Sequence, residues 1–334
     1  IATVSGRGYR LSLPVDGRPA SGAGLPSETS VADGLLGRDE LVRQAAALLA
    51  RPGLRLLTFS GPGGAGKTRL ALRVAAERSA LMADGAYVVM LAPVRESGQI
   101  AAAVAAALGV RESGAASLDA LVQGFLATRT LLLVLDNLEH LPGAALQVAK
   151  WLAACPGLQV VTTSRMLLSL AEEQVIEVPP LALPAADTPR DWRGSPAVRL
   201  FYARAQSLGR ELPDNDETLH AAVRICQRLD GLPLALELAA ARLRLLTPQA
   251  LAARLQQALP LLAAHRADVP PRQQTLRATI AWSHELLDDA TREVFARLAV
   301  FVGGWSLDAA EAVNDRPPVE VLDALQALLS MHLV

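Results

Sequence analysis

The chain has 334 residues, 51% hydrophobic, 19% charged and 4% aromatic, with a formal net charge of −1; that length suggests two or three domains with ample apolar surface to bury. Near-neutral charge argues against a chain whose main business is coating nucleic acid or an anionic membrane, and two cysteines, Cys155 and Cys226, give no disulfide framework and suit a reducing, cytoplasmic compartment. Apolar runs fall far short of the roughly 20 residues that span a bilayer, and the first residues carry no signal-peptide core, so a secreted, collagenous or membrane protein is not expected.

Within residues 1–13, two short β-like runs around Gly6-Arg7-Gly8 predict a hairpin. Residues 14–34 are rich in Pro, Gly and Ser without an apolar period and predict a flexible linker. Across 35–185, apolar runs at 54–60, 86–91, 130–136, 158–163 and 175–178 alternate with helical stretches at 69–81, 99–108, 118–127 and 143–154. Continuous apolar strands separated by helices predict an α/β fold, a parallel sheet covered on both faces. Pro179-Pro180 and Leu183-Pro184 close that block. Residues 186–268 then show only helical periodicity, at 196–208, 216–229, 232–246 and 248–259, the last with Thr247 as N-cap and proline in its first turn. Val269-Pro270-Pro271 marks a further boundary. Beyond it, 269–334 carries helical patterns at 276–286, 289–299 and 307–334, the final stretch reading as a domain left incomplete.

Gly61-Pro62-Gly63-Gly64-Ala65-Gly66-Lys67-Thr68 fits G-x-x-x-x-G-K-[ST] and lies between an apolar strand and a helix, the context this motif requires. Glycines let backbone N–H groups turn inward around a phosphate, and the helix N-terminus adds its positive end. Lys67 would reach the β- and γ-phosphates, and the Thr68 hydroxyl would ligate Mg²⁺. Lys67 and Lys150 are the only lysines among abundant arginines, which suggests that lysine is retained where a compact ammonium is needed. The strand at 130–136 ends in Asp136, suited to hold the magnesium beside Thr68. Many ATPases carry a second acid directly afterwards; here it is Asn137, an amide that cannot accept a proton, so slow hydrolysis at most is expected. Glu139 reads either as a substitute for that acid or as a solvated surface residue. Arg165, past the strand at 158–164, reads either as a γ-phosphate contact or as an exposed strand-end cation.

Gly231-Leu232-Pro233 opens an apolar helix; this is ordinary helix-start chemistry, though beside a nucleotide the proline ring can also pack on an adenine. The histidines and cysteines show no ligand spacing, so no metal beyond Mg²⁺ is expected. Arginines at 190, 193, 199, 204 and 210, interleaved with Asp191 and Glu211, read as a solvated helix surface.

Taken together, these motifs resemble the STAND class of P-loop ATPases and, within it, the NB-ARC-like regulators of bacteria. Leu36-Gly37-Arg38-Asp39-Glu40-Leu41 resembles the entry segment that lines the adenine pocket, 131–140 (LLLVLDNLEH) the magnesium strand, Val161-Thr162-Thr163-Ser164-Arg165 the sensor strand, and Gly231-Leu232-Pro233 the helical-domain motif whose proline touches the base. The resemblance implies nucleotide contacts at Gly37, Arg38, Gly61, Gly63, Gly64, Ala65, Gly66, Lys67, Thr68, Arg69, Arg165 and Pro233. It implies metal ligation by Thr68 and Asp136, and a catalytic set of Lys67, Asp136 and Glu139.

Segments 275–283 and 301–306 are similar to the start of the family's winged-helix module. Met331-His332 resembles its Met-His nucleotide contact but comes too early after Phe301 to be that pair. Residues 1–11 look like the last hairpin of an OmpR-type winged-helix domain. That implies an AfsR-like transcription regulator contacting DNA only through an N-terminal domain largely outside this chain, with an inducer or protein partner bound by a C-terminal sensor past Val334. The implied mechanism is an ATP/ADP switch with Mg²⁺, closed around ADP and opening on exchange for ATP to self-associate, with no membrane partner. Two competing readings are a hydrolysing remodelling or motor ATPase and a sequence-specific DNA binder in its own right.

Overall fold

The computed structural model describes residues 2–4, 8–11, 35–111, 116–184, 189–255, 281, 284–301, 304–331 and 333–334. The expected linker at 14–34, the boundary at Val269-Pro270-Pro271, the 275–283 segment save Ala281, Val302 and Gly303 of the 301–306 segment, and His332 lie outside the described residues. The chain divides into two compact units: Ile1–Ser60 with Gly66–Val178, and Gly61–Ala65 with Pro179–Val334.

The first unit holds strands β1 (Ala2–Val4), β2 (Gly8–Leu11), β3 (Leu56–Ser60), β4 (Ala86–Met90), β5 (Leu131–Asp136), β6 (Leu158–Thr163) and β7 (Glu173–Glu177). Its helices are α1 (Asp39–Leu49), α2 (Lys67–Ser79), α3 (Ile100–Leu108), α4 (Leu118–Ala127) and α5 (Ala144–Ala154). The sheet order is β1-β2-β4-β5-β6-β3-β7. The five strands from β4 to β7 run parallel, and the expected β1–β2 hairpin adds to them, β2 lying antiparallel on β4.

All six residues of β5 are buried. Leu131, Leu133 and Leu135 share one core with Val104 of α3, Val122 of α4 and Trp151 of α5. Leu132 and Val134 alternate to the other face, and α2 packs on β4, β5 and β6. Cover on both sides is why the strand shows no polar alternation. Gly109, at φ +73, ends α3 in the left-handed cap that glycine adopts without strain.

In the second unit, α6 (Pro196–Ser207) packs on α7 (Asp216–Arg228) and α8 (Pro233–Arg242), while α9 (Pro248–Leu255) packs on α7. Asn215 caps α7, accepting the Thr218 N–H at 2.8 Å. Two of the arginines expected to be solvated also bind α8 and its end, Arg210 staying exposed and Arg204 half-buried. Arg204 pairs with Glu237 at 3.0 Å, and Arg210 Nε donates to the Leu243 carbonyl at 3.0 Å, just past the α8 C-terminus. Helices α10 (Asp289–Leu298), α11 (Leu307–Val313) and α12 (Pro318–Ser330) share a separate core around Val294, Ala310, Val321 and Leu328.

Three local expectations need correction. The pattern at 307–334 is two helices, because Pro317 and Pro318 cannot continue the first and instead open the second. The helix expected over 232–246 stops at Arg242. Helix α1 was not anticipated; its Val42, Ala45 and Leu49 form the buried stripe of an amphipathic helix.

Gly231 is the position where the backbone most plainly requires glycine. Its φ is +65, and a Cβ there would collide with the carbonyl oxygen of Leu181, whose N–H donates to the Gly231 carbonyl at 2.9 Å. Gly231→Ala is therefore expected to lower stability by more than the roughly 1–3 kcal/mol of left-handed strain alone. The comparison is Gly53→Ala, where φ is +84 but an added Cβ meets nothing within 4 Å. Denaturant midpoints followed by far-UV circular dichroism check this, and equal losses in the two variants would contradict it.

Candidate functional site

The phosphate-loop motif connects β3 to α2. Gly66 takes φ +99 at the N-cap of α2, and Lys67, Thr68 and Arg69 form its first turn. Gly61–Ala65 group with the helical unit. There Gly64 takes φ +83, an added Cβ would stand 2.8 Å from the Leu234 Cβ, and its carbonyl accepts the Leu234 N–H at 3.2 Å. Glycine thus serves both the positive φ and the close approach.

Within the first unit, strand register assembles the carboxyl end of the sheet. Parallel pairing sets Asp136 of β5 beside Thr163 of β6, and Thr163 beside Phe59 of β3, so three strand ends align at the carboxyl edge of the sheet. The Thr68 and Thr163 hydroxyls each donate to Asp136 Oδ1 at 2.6 Å. Asp136 is buried. Burial pushes its carboxyl above the usual range; the Thr163 and Thr68 hydroxyls oppose the rise, Glu139 adds to it and Lys67 opposes it. A hydroxyl and a carboxylate joined directly are hard oxygen donors of the kind Mg²⁺ takes, so these residues fit the ion the motif implies.

Beyond Asp136 the chain turns sharply. Asn137 has φ +70, a conformation that asparagine tolerates better than most residues. Its N–H donates to the Thr163 carbonyl at 3.0 Å and to the Thr163 hydroxyl at 2.9 Å. Its side-chain amide lies 3.0 Å from His140 Nδ1, and His140 Nε2 lies 2.7 Å from the Val94 carbonyl. An amide donating to Nδ1 leaves the ring hydrogen on Nε2, which donates to Val94. Both ends of Asn137 are therefore committed to holding the turn.

That turn brings Glu139 inward. Glu139 and Arg165 side chains are only 3% and 7% exposed and face each other at 3.4 Å, Oε1 to Nε, so both surface alternatives are set aside. The Ser60 hydroxyl donates to the Arg165 carbonyl at 3.3 Å, anchoring its backbone to the end of β3. Burial pulls the Lys67 ammonium down to about 8; Glu139 pulls it back up, Arg165 lowers it further and Asp136 raises it. Lys67, Thr68, Asp136, Glu139 and Arg165 thus gather in one unit.

The remaining candidates are placed individually. Gly37 takes φ +68 in the turn before α1, and Arg38 is buried at the α1 N-cap. Arg69 is exposed. Pro233 is the first residue of α8 in the helical unit. Thr163 and His140 were not singled out from sequence. Both lie inside motifs that were, and the signal available was their place at a strand end and in the loop after Asp136.

Residues 52–189 match the AAA domain family. A Mycobacterium tuberculosis protein provisionally named an HTH-type transcriptional regulator is 41% identical over 293 residues, covering 86% of this chain and 32% of that protein. The regulatory protein AfsR of Streptomyces griseus is 29% identical over 320 residues, covering 89% of this chain and 30% of AfsR. The chain thus spans about a third of the length of these relatives. Among solved structures, the Aeropyrum pernix ORC2 protein, determined as ADPNP and ADP complexes, superposes with a TM-score of 0.53 at 14% identity, covering 90% of this chain and 87% of that one. The span that matches the AAA domain family, residues 52–189, carries the phosphate loop and the five parallel strands.

Thr163→Val removes one of two hydroxyls serving a buried carboxylate, and the Asn137 N–H keeps the Thr163 carbonyl. The expected loss near neutral pH is about 1.5–3 kcal/mol, the range for hydrogen bonds to charged groups. The loss should shrink as pH falls, because a protonated Asp136 depends less on the second donor. Urea titrations at several pH values check this; a loss that grows in acid would contradict it.

Proposed function

We propose that this AAA-type P-loop domain is the nucleotide-operated switch of a bacterial transcriptional regulator, STAND class and NB-ARC-like, that binds ATP and ADP with Mg²⁺ and turns over slowly at most. The observation that carries the reading is the commitment of the two groups after Asp136. Asn137 is an amide tied into its own turn, and Glu139 faces Arg165 at 3.4 Å. Asn137 cannot act as a base at all, and Glu139 is engaged by Arg165 until that pair is broken, which favours holding a nucleotide over cleaving it quickly.

Lys67 and the loop N–H groups would hold the β- and γ-phosphates, and Thr68 and Asp136 would hold the metal. Bound there, Mg²⁺ would offset the charge of the phosphate oxygens. Arg165 would meet the terminal phosphate, Pro233 the base, and Gly37 and Arg38 the adenine side. A switch driven from 1:99 to 99:1 needs about 5.5 kcal/mol of differential affinity between its two forms.

In the whole protein, exchange of ADP for ATP would favour an open, self-associating form. DNA would be contacted through an N-terminal domain and the inducer through a C-terminal sensor. The names of the mycobacterial and Streptomyces relatives support the regulatory setting. Among the described residues no helix is long and apolar enough to cross a membrane, which is compatible with a cytoplasmic regulator.

Denaturing the purified protein should release ADP or ATP, and Lys67→Ala should abolish nucleotide retention. Unchanged affinity in that variant would refute the site. Steady turnover above about 1 s⁻¹, the low end for ordinary enzymes, would replace the switch with a working remodelling ATPase.

A further inference from the structure

Burying two opposite charges is repaid only when the geometry is tight and every remaining polar atom finds a partner. The Glu139–Arg165 pair meets neither condition. Its 3.4 Å separation exceeds the roughly 2.7–2.9 Å of a good charge-assisted bond. Glu139 Oε2 is buried and accepts no hydrogen bond from the protein.

Backbone on both sides of the pair is pinned. The Arg165 carbonyl accepts from Ser60, and the turn carrying Glu139 is held by Asn137, His140 and Val94. Any rearrangement of the pair is therefore a side-chain movement. An incoming polyphosphate is a second anion competing with Glu139 for Arg165, and a triphosphate carries more charge, further along the chain, than a diphosphate.

We propose that Glu139 is the residue that sets this site's preference between di- and triphosphate, by holding Arg165 in a loose buried ion pair that a terminal phosphate must break. In the diphosphate form Arg165 stays with Glu139. In the triphosphate form Arg165 turns to the terminal phosphate. The inference rests on the nucleotide-switch reading above and adds to it the residue that tells the two nucleotides apart. It also makes Glu139 a restraint on ATP binding, whereas a purely structural ion pair would affect both nucleotides alike.

The test is calorimetric titration of the purified chain with ADP and with the β,γ-imido analogue of ATP, both with Mg²⁺, reading the ratio of the two Kd values. Glu139→Gln keeps the shape and removes the charge that holds Arg165. It should shift the ratio about tenfold or more toward the triphosphate, a change equivalent to roughly 1.4 kcal/mol. Arg165→Met should shift the ratio the other way.

Glu139→Gln leaves an uncompensated buried guanidinium and can unfold the domain. The neutral pair Glu139→Gln with Arg165→Met removes both charges and should fold at least as stably as the native pair. That double variant should lose triphosphate affinity to the same extent as Arg165→Met alone. A Glu139→Gln ratio within twofold of the native one, or a double variant with the native ratio, overturns the proposal while leaving nucleotide binding intact. Failure of the native chain to bind either nucleotide overturns the switch reading and this proposal with it.

Discussion

A carboxylate can sit at the end of a dry sheet only if something donates to it, and at Asp136 two hydroxyls do. One comes from α2, the helix that the phosphate loop opens, and the other from the neighbouring strand β6. Strand register fixes the second, because parallel pairing sets Asp136 beside Thr163, and slipping a strand by one residue would turn its side chains to the opposite face. The continuous apolar run of β5 therefore does more than build a core. Paired in this register, it delivers a carboxylate to a threonine.

The same economy governs charge. Lys67 is an ammonium driven down to about 8 by burial, in the field of a second cation, Arg165, and two carboxylates. Burial disfavours the charged form of such an ammonium, and the two carboxylates favour it. Arginine elsewhere in the chain serves ordinary structural ends, such as Arg210 binding the carbonyls past α8 or Arg204 facing Glu237. A guanidinium is broad and forked, and suits carbonyls and carboxylates. The compact ammonium is kept at Lys67 and at Lys150, which pairs with Asp119 at 2.5 Å.

Legibility in the sequence tracked how strongly local pattern constrains the chain. The five parallel strands were readable because burial on both faces leaves unbroken apolar runs, and β6 and α4 fall on the expected residues. The phosphate loop was readable because its glycines and lysine are fixed by spacing. Helix α1 was missed because its signal is only a narrow stripe of three buried residues, in a segment read as pocket lining. Glu139 and Arg165 stayed ambiguous for a different reason. A charged residue two or three positions past a strand can point inward or outward; for Glu139 the turn at Asn137, whose positive φ no periodicity announces, decides it, and Arg165 is anchored by Ser60. Thr163 was overlooked because its partner is 27 positions away in sequence, and only sheet pairing brings the two together.

The Gly231-Leu232-Pro233 segment shows how one motif divides its labour. Gly231 answers to the fold, since its left-handed backbone lies against the Leu181 carbonyl. Pro233 starts α8 at a position where a missing N–H costs nothing. The next residue, Leu234, carries one of the helix N-terminal N–H groups that no intrahelical carbonyl can satisfy, and that group donates to the carbonyl of Gly64 in the phosphate loop. The loop is thus part of the cap of α8, and Gly64 lacks a side chain because the Leu234 Cβ stands in its way. Any reshaping of the loop around Gly64 must either carry α8 with it or expose that N–H.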